Sequence, residues 1–148
     1  MSSSINVPPE LIQRFRTRIY DTDPLKNILN NQQLEFSDEQ VAAYIIEGLY
    51  DINEAEPRTK FKLNRFPKTS LLLDAALIYM LRSKGLIHLR NQLSYNDAGF
   101  SVNLDDKSGH YAQWMSQEYA MYSQSLKEFK RSIVPRFRGV SSPMGMWY

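Results

Sequence analysis

Between Leu71 and Leu81 the chain reads LLLDAALIYML, whose apolar residues point in nearly every direction around a helix and whose one charge is Asp74. A helix that is hydrophobic all round has to be surrounded. The run is far shorter than a membrane span, so the surroundings must come from the chain's own elements, and the position that supplies them is the centre of a bundle. The expected fold class is therefore mainly α: a helical bundle of about four to five helices, with a short extended or β segment and a flexible C-terminal arm. Thr69 or Ser70 can cap this central helix. Gly85 either ends it or is absorbed in a long helix or kinked pair that continues through Leu86, Ile87, Leu89 and Leu93 to near Tyr95.

Helices of the right character flank it. Pro8 and Pro9 suit a first helical turn, and Leu11, Ile12, Phe15 and Ile19 then recur at helical spacing, with Arg14, Arg16 and Arg18 in other directions; this predicts a helix over 8–20. Asp23-Pro24 and Asn30-Asn31 are turn signals, and Leu25, Ile28 and Leu29 between them fit a single helical turn. Ser37 and Gln40 match a capping box, after which Val41, Tyr44, Ile45, Leu49 and Ile52 line one face. In the last helix Met115, Tyr119, Tyr122, Leu126, Phe129 and Ile133 recur at alternating steps of four and three, which predicts a long amphipathic helix ending before Pro135.

Two connecting segments read differently. From Asn53 to Pro67 the helical period stops, and Arg58, Lys60, Lys62, Arg65 and Lys68 gather around Phe61, Leu63 and Phe66 as a basic connector or short strand. Asn96-Asp97-Ala98-Gly99 is a turn, after which Phe100, Val102 and Leu104 alternate with polar residues as in a strand or extended segment. Asp105, Asp106 or Ser108 can then cap the last helix. The organisation expected is an N-terminal tail over 1–7, a helical domain over 8–134 and a C-terminal arm over 135–148.

Composition narrows the function classes. The 148 residues, 43% of them hydrophobic, suffice for one domain with a real core and are too few for two comfortable ones. The absence of cysteine excludes disulfides, thiolate metal sites and cysteine nucleophiles, while leaving the redox compartment open. The start MSSSINVPPE lacks the basic and apolar blocks of a leader, so a soluble chain outside the membrane is expected. A formal charge of +2 does not mark a general nucleic-acid binder. Catalytic signals are sparse. His88 and His110 fall on separate segments, and the Asp105-Asp106 pair is explained by the dipole at a helix start. No phosphate-binding glycine loop, nucleophile elbow or HExxH occurs, so neither an enzyme nor a cofactor or metal is expected.

What remains points to partners. Residues 130–148, KRSIVPRFRGVSSPMGMWY, join four basic residues to a tail without acid, in which Pro135, Gly139, Pro143 and Gly145 are too closely spaced for a helix. Arg136, Phe137, Arg138, Met144, Met146, Trp147 and Tyr148 read as an arm for a partner, with packing on the chain's own domain as the alternative. In the last helix Tyr111, Trp114, Met115, Tyr119, Met121 and Tyr122 are too many for one seam. They imply a second buried face, either a further neighbour within the bundle or a subunit interface, with stacking of nucleic-acid bases as a third reading.

The second half, LLLDAALIYMLRSKGLIHLRNQLSYNDAGFSVNLDDKSGHYAQWMSQEYAMYSQSLKEFKRSI, resembles the helical head–tail connector, or adaptor, proteins of tailed bacteriophages. The likeness covers about residues 69–134 and lies in the order of parts: an apolar helix, a YNDAGFSV-type turn and extended segment, a short acidic linker, and a Tyr-rich helix ending in basic residues and a Pro-broken tail. That resemblance implies a structural virion protein of the neck, made in the host cytoplasm and assembled as a homo-oligomeric, usually dodecameric, ring beneath the portal protein. The ring would extend the DNA channel, pass DNA without specific binding, and meet other neck or tail proteins without any membrane. Arg136 and Arg138 would pair with an acidic portal surface, with Phe137 and Trp147 as anchors. The alternative is a small helical nucleic-acid-binding or regulatory module that uses Lys60, Lys62, Arg65, Lys68 and the basic tail as phosphate contacts.

Overall fold

The computed structural model describes residues 6–26, 31–96 and 107–134, with side chains for all of these except 87–96, 107, 108 and 111. Four α-helices follow one another: α1 (Pro9–Arg18), α2 (Asp38–Glu54), α3 (Thr69–Asn96) and α4 (Lys107–Ile133), with 3-10 turns at Pro24–Lys26 and Leu63–Arg65. The described residues contain no strand. The fold is thus a mainly α bundle.

Its centre is the first half of α3. Leu71, Leu72, Leu73, Ala75, Ala76, Leu77, Ile78, Met80 and Leu81 are all buried, as an all-round apolar helix requires. α2 runs antiparallel to α3: Glu35 and Phe36, just before α2, meet Lys84, while Gly48 further along α2 meets Ala75 and Ala76. Its start follows the capping box, with Gln40 N–H donating to Ser37 Oγ at 3.2 Å and Ser37 N–H to Gln40 Oε1 at 3.0 Å. Val41, Ile45, Leu49 and Ile52 are buried along its inner face, and Tyr44 sits at the margin with its ring edge-on to Phe36 at 5.9 Å. α3 starts at Thr69 itself, with the N–H groups of Leu71 and Leu72 bonded to the Lys68 carbonyl, so neither Thr69 nor Ser70 holds the cap position. Gly85 is absorbed, and the helix runs on to Asn96.

α1 is shorter than its pattern suggests, and Val7, expected in the N-terminal tail, is buried in the core. Its largest surprise is Arg16, which the apolar spacing assigns away from the core but which is buried. One guanidinium nitrogen donates to Asp21 at 2.8 Å; the other donates to the Phe36 carbonyl at 2.8 Å and to Asp38 at 2.6 Å. Asp21 in turn accepts from the N–H groups of Glu35 at 2.9 Å and Phe36 at 3.2 Å. This fully bonded node closes the loop between α1 and α2, where apolar residues alone could not satisfy the backbone.

The connector after α2 is no strand. Asn53 donates its amide to the Phe61 carbonyl at 3.0 Å and accepts from Phe61 N–H at 2.9 Å and from Thr59 Oγ1 at 3.0 Å. One side chain thereby occupies both backbone groups of Phe61 that a ladder would use. The alternation still sorts sides, with Phe66 buried and Phe61 and Leu63 half-buried, while Arg58, Lys60, Lys62, Arg65 and Lys68 are exposed.

α4 packs antiparallel on α3 and reaches back to this connector. Phe129 forms an aromatic cluster with Phe61 and Phe66, with ring centroids 5.8 and 5.6 Å away. Lys130, read from sequence as part of the basic tail, is buried instead; its ammonium donates to the Pro57 carbonyl and Thr59 Oγ1, each at 2.9 Å. Burial lowers its pKa. Ser108 falls inside α4 and not at a cap, whereas Asp105, Asp106 and the extended segment at Phe100–Leu104 lie outside the described residues.

Candidate functional site

α4 divides its apolar residues between two destinations. Tyr122 and Phe129 are buried, and Met115, Leu126 and Ile133 are partly buried against the core. Tyr122 Oη donates to Asp51 at 2.5 Å, and burial first, then this bond, pushes the phenol far above its ordinary range. Tyr122, expected on a subunit interface, is thus committed to its own chain. The other destination is solvent: Trp114 is 43% exposed, Tyr119 49% and Met121 65%. Tyr119 belongs to the predicted seam, yet it is half exposed although Met115, one turn earlier, packs against the core. From Gly109 to Met121, Met115 and Glu118 alone among the described side chains are half-buried. The Tyr111 side chain lies outside the described set.

Beside this open stretch is a cleft of about 390 Å³. The end of α1 contributes Arg18, Ile19 and Tyr20, α3 contributes Asp74 and Leu77, and α4 contributes Trp114 and Glu118. Arg18 fixes the geometry, because its guanidinium pairs with Asp74 and donates to the Ser70 carbonyl at 3.2 Å. Trp114 Nε1 donates to Glu118 at 3.2 Å, one helical turn on. Burial raises the Asp74 pKa and outweighs the opposing Arg18, while the neighbouring Glu118 raises it further. Two carboxylates and one guanidinium therefore line the cleft together with Tyr20, Trp114 and the apolar Leu77. Such a site can hold a cationic, aromatic guest.

None of the cleft residues except Trp114 was a site candidate in the sequence. Asp74 carried the available signal, as the one charge in an otherwise apolar run. Tyr20 and Glu118 had none, since their roles depend on where three separate helices converge.

The remaining candidates are dispersed. The five cations Arg58, Lys60, Lys62, Arg65 and Lys68 lie together in the connector and its junction with α3, all exposed; Arg58 has a long ion pair to Glu56 at 3.6 Å. His110 is exposed in the first turn of α4, and the side chain of His88 lies outside the described set. Among the described residues no group of three or more His, Asp or Glu side chains could hold a metal, and no helix is long and apolar enough to cross a membrane. Arg136, Phe137, Arg138, Met144, Met146, Trp147 and Tyr148 lie outside the described residues. Comparison with family models, with curated proteins and with solved structures finds no match for the chain.

Proposed function

We propose that this chain is a structural subunit of a head–tail connector of the tailed-bacteriophage kind, assembling as a ring beneath a portal, extending the DNA channel and docking the tail in the neck of the virion. Its role is mechanical and needs no cofactor. The observation that carries this reading is the divided α4, with Tyr122 and Phe129 held in the core while Trp114, Tyr119 and Met121 stay open. Ring subunits need lateral faces beyond those that close their own core, and Tyr, Trp and Met are the side chains that interfaces favour. The acid-free arm at 135–148 supplies a segment for a portal or neighbouring protein.

The test is the native mass of the purified chain, alone and mixed with portal rings, by light scattering and negative-stain imaging. A closed ring, alone or on the portal, is the expected result; a monomer indifferent to portal rings overturns the reading. The five exposed cations from Arg58 to Lys68 favour a second reading, a helical nucleic-acid-binding module. Salt separates the two: phosphate contacts weaken steeply as salt rises, whereas an aromatic interface persists.

A further inference from the structure

The end of α1 carries an anomaly that packing of the core does not explain. Asp21 N–H bonds to the Arg16 carbonyl at 3.0 Å and Tyr20 N–H to the Thr17 carbonyl at 3.4 Å, the two bonds of a Schellman closure. The residue that takes the left-handed conformation in such a closure is usually glycine. Here it is Tyr20, with φ 58°, and its side chain is 93% exposed at the rim of the cleft. A tyrosine in this conformation is strained, and the strain is not offset by burial within the chain. Backbone outliers of this kind cluster where a ligand is clamped.

We propose that the cleft framed by Tyr20, Asp74, Trp114 and Glu118 is the receptor for the Arg136–Arg138 segment of a second copy of this chain. The inference rests on the ring reading above and specifies the junction between subunits. Charge selects the guest: the cleft is lined by two carboxylates, Asp74 and Glu118, against the single guanidinium of Arg18, and an added guanidinium would relieve the carboxylate that burial holds above its ordinary pKa. The segment Pro135–Tyr148 brings two arginines and no acid. Tyr20 and Trp114 suit the stacking of guanidinium groups and of Phe137 between them.

Length works against the chain's own arginines. Glu118 lies sixteen residues before Val134, roughly 24 Å back along α4 at the helical rise. The four residues from Val134 to Arg138 span at most roughly 14 Å fully extended. Arg136, only two residues beyond Val134, therefore falls short of its own cleft, and Arg138 reaches its own Glu118 only with the chain fully extended back along α4. A neighbour's arginines are under no such limit.

Charge reversal in the full-length chain, read by sedimentation velocity, tests this. Glu118→Arg alone and the pair Arg136→Glu with Arg138→Glu should each weaken self-association at least tenfold, with helical circular dichroism unchanged. An equimolar mixture of the two should regain wild-type assembly, because each variant's cleft then matches the other's arm. Tyr20→Gly should raise the melting temperature, by releasing strain, yet weaken association several-fold; a purely structural Tyr20 would leave association alone. Where the wild type assembles on portal rings only, the same variants are read there. Rings that survive both charge reversals, or a mixture that stays dissociated, overturn the cleft–arm junction and leave the ring reading standing. A wild type that is monomeric with and without portal rings defeats the ring reading itself.

Discussion

Two glycines on packed helices stand in opposite surroundings. A methyl group on Gly48 would lie 2.9 Å from the backbone nitrogen of Ala76 and 3.0 Å from Ala75 Cβ, whereas nothing lies within 4 Å of the position a methyl on Gly85 would occupy. At Gly48 the backbones of α2 and α3 touch, with Leu72, Ala75 and Ala76 sealed between helices. By Gly85, α3 has run past that seam, and Leu86 is exposed. The same contrast recurs along α4, closed at Phe129 and open at Met121. Burial here follows whether another helix covers the face that a residue occupies: Met121 is open although its neighbour Tyr122 is buried.

The contrast can be broken at its closed end first. Leu72→Ala, in the buried first turn of α3, should lower stability by about 2–5 kcal/mol in urea unfolding. A loss no larger than about 0.5 kcal/mol, the range of surface sites, would mean that this level is not closed. Gly48→Ala should cost about 1–3 kcal/mol, because overpacking against Ala76 exceeds the gain in helix propensity. Tyr122→Phe removes the bond to Asp51 and should cost about 1 kcal/mol near neutral pH.

Tyr122 also sets a pH dependence. Its folded pKa is raised above the ordinary 10.0, so its contribution is fully present below that value and is lost as pH rises further, when the unfolded chain ionises more readily. Unfolding curves of the wild type should therefore steepen in their decline above about pH 10, and the phenylalanine variant should show less of that decline. Gly85→Ala, in open space, should stabilise by about 0.5–1 kcal/mol, opposite in sign to the same change at Gly48. If both changes destabilise, the two positions do not differ as described. Smallest of all, Met121→Gln should shift stability by no more than about 0.5 kcal/mol. Its measurable effect falls on self-association, and unchanged assembly would remove that face from the subunit contact.

Much of the bundle was legible in the chain because local rules and tertiary packing agree there. The apolar block of α3, the capping box of α2 and the end of α4 before Pro135 all stand where spacing and caps predict. The cleft was not legible. Arg18, Asp74 and Glu118 meet across three helices, and their sequence neighbours give no hint of the meeting. The strand alternative for the connector failed for a related reason: its alternation is real, but Asn53, eight residues away, takes the backbone bonds of Phe61 that would have made it a strand.

By itself the sequence determined that the chain is a helical bundle around the Leu71–Leu81 core, because an all-round apolar helix has no stable place except among other helices. It also determined where α2 begins, since a capping box satisfies its donors locally. The tertiary structure alone decided that Arg16 and Lys130 are buried, that Tyr122 turns inward while Tyr119 stays open, and that Tyr20 lines one cleft with Asp74 and Glu118. Hydrophobic period records which side of a helix is apolar. Whether another helix arrives to cover that side, and which polar groups it brings, depends on contacts between residues far apart in the chain.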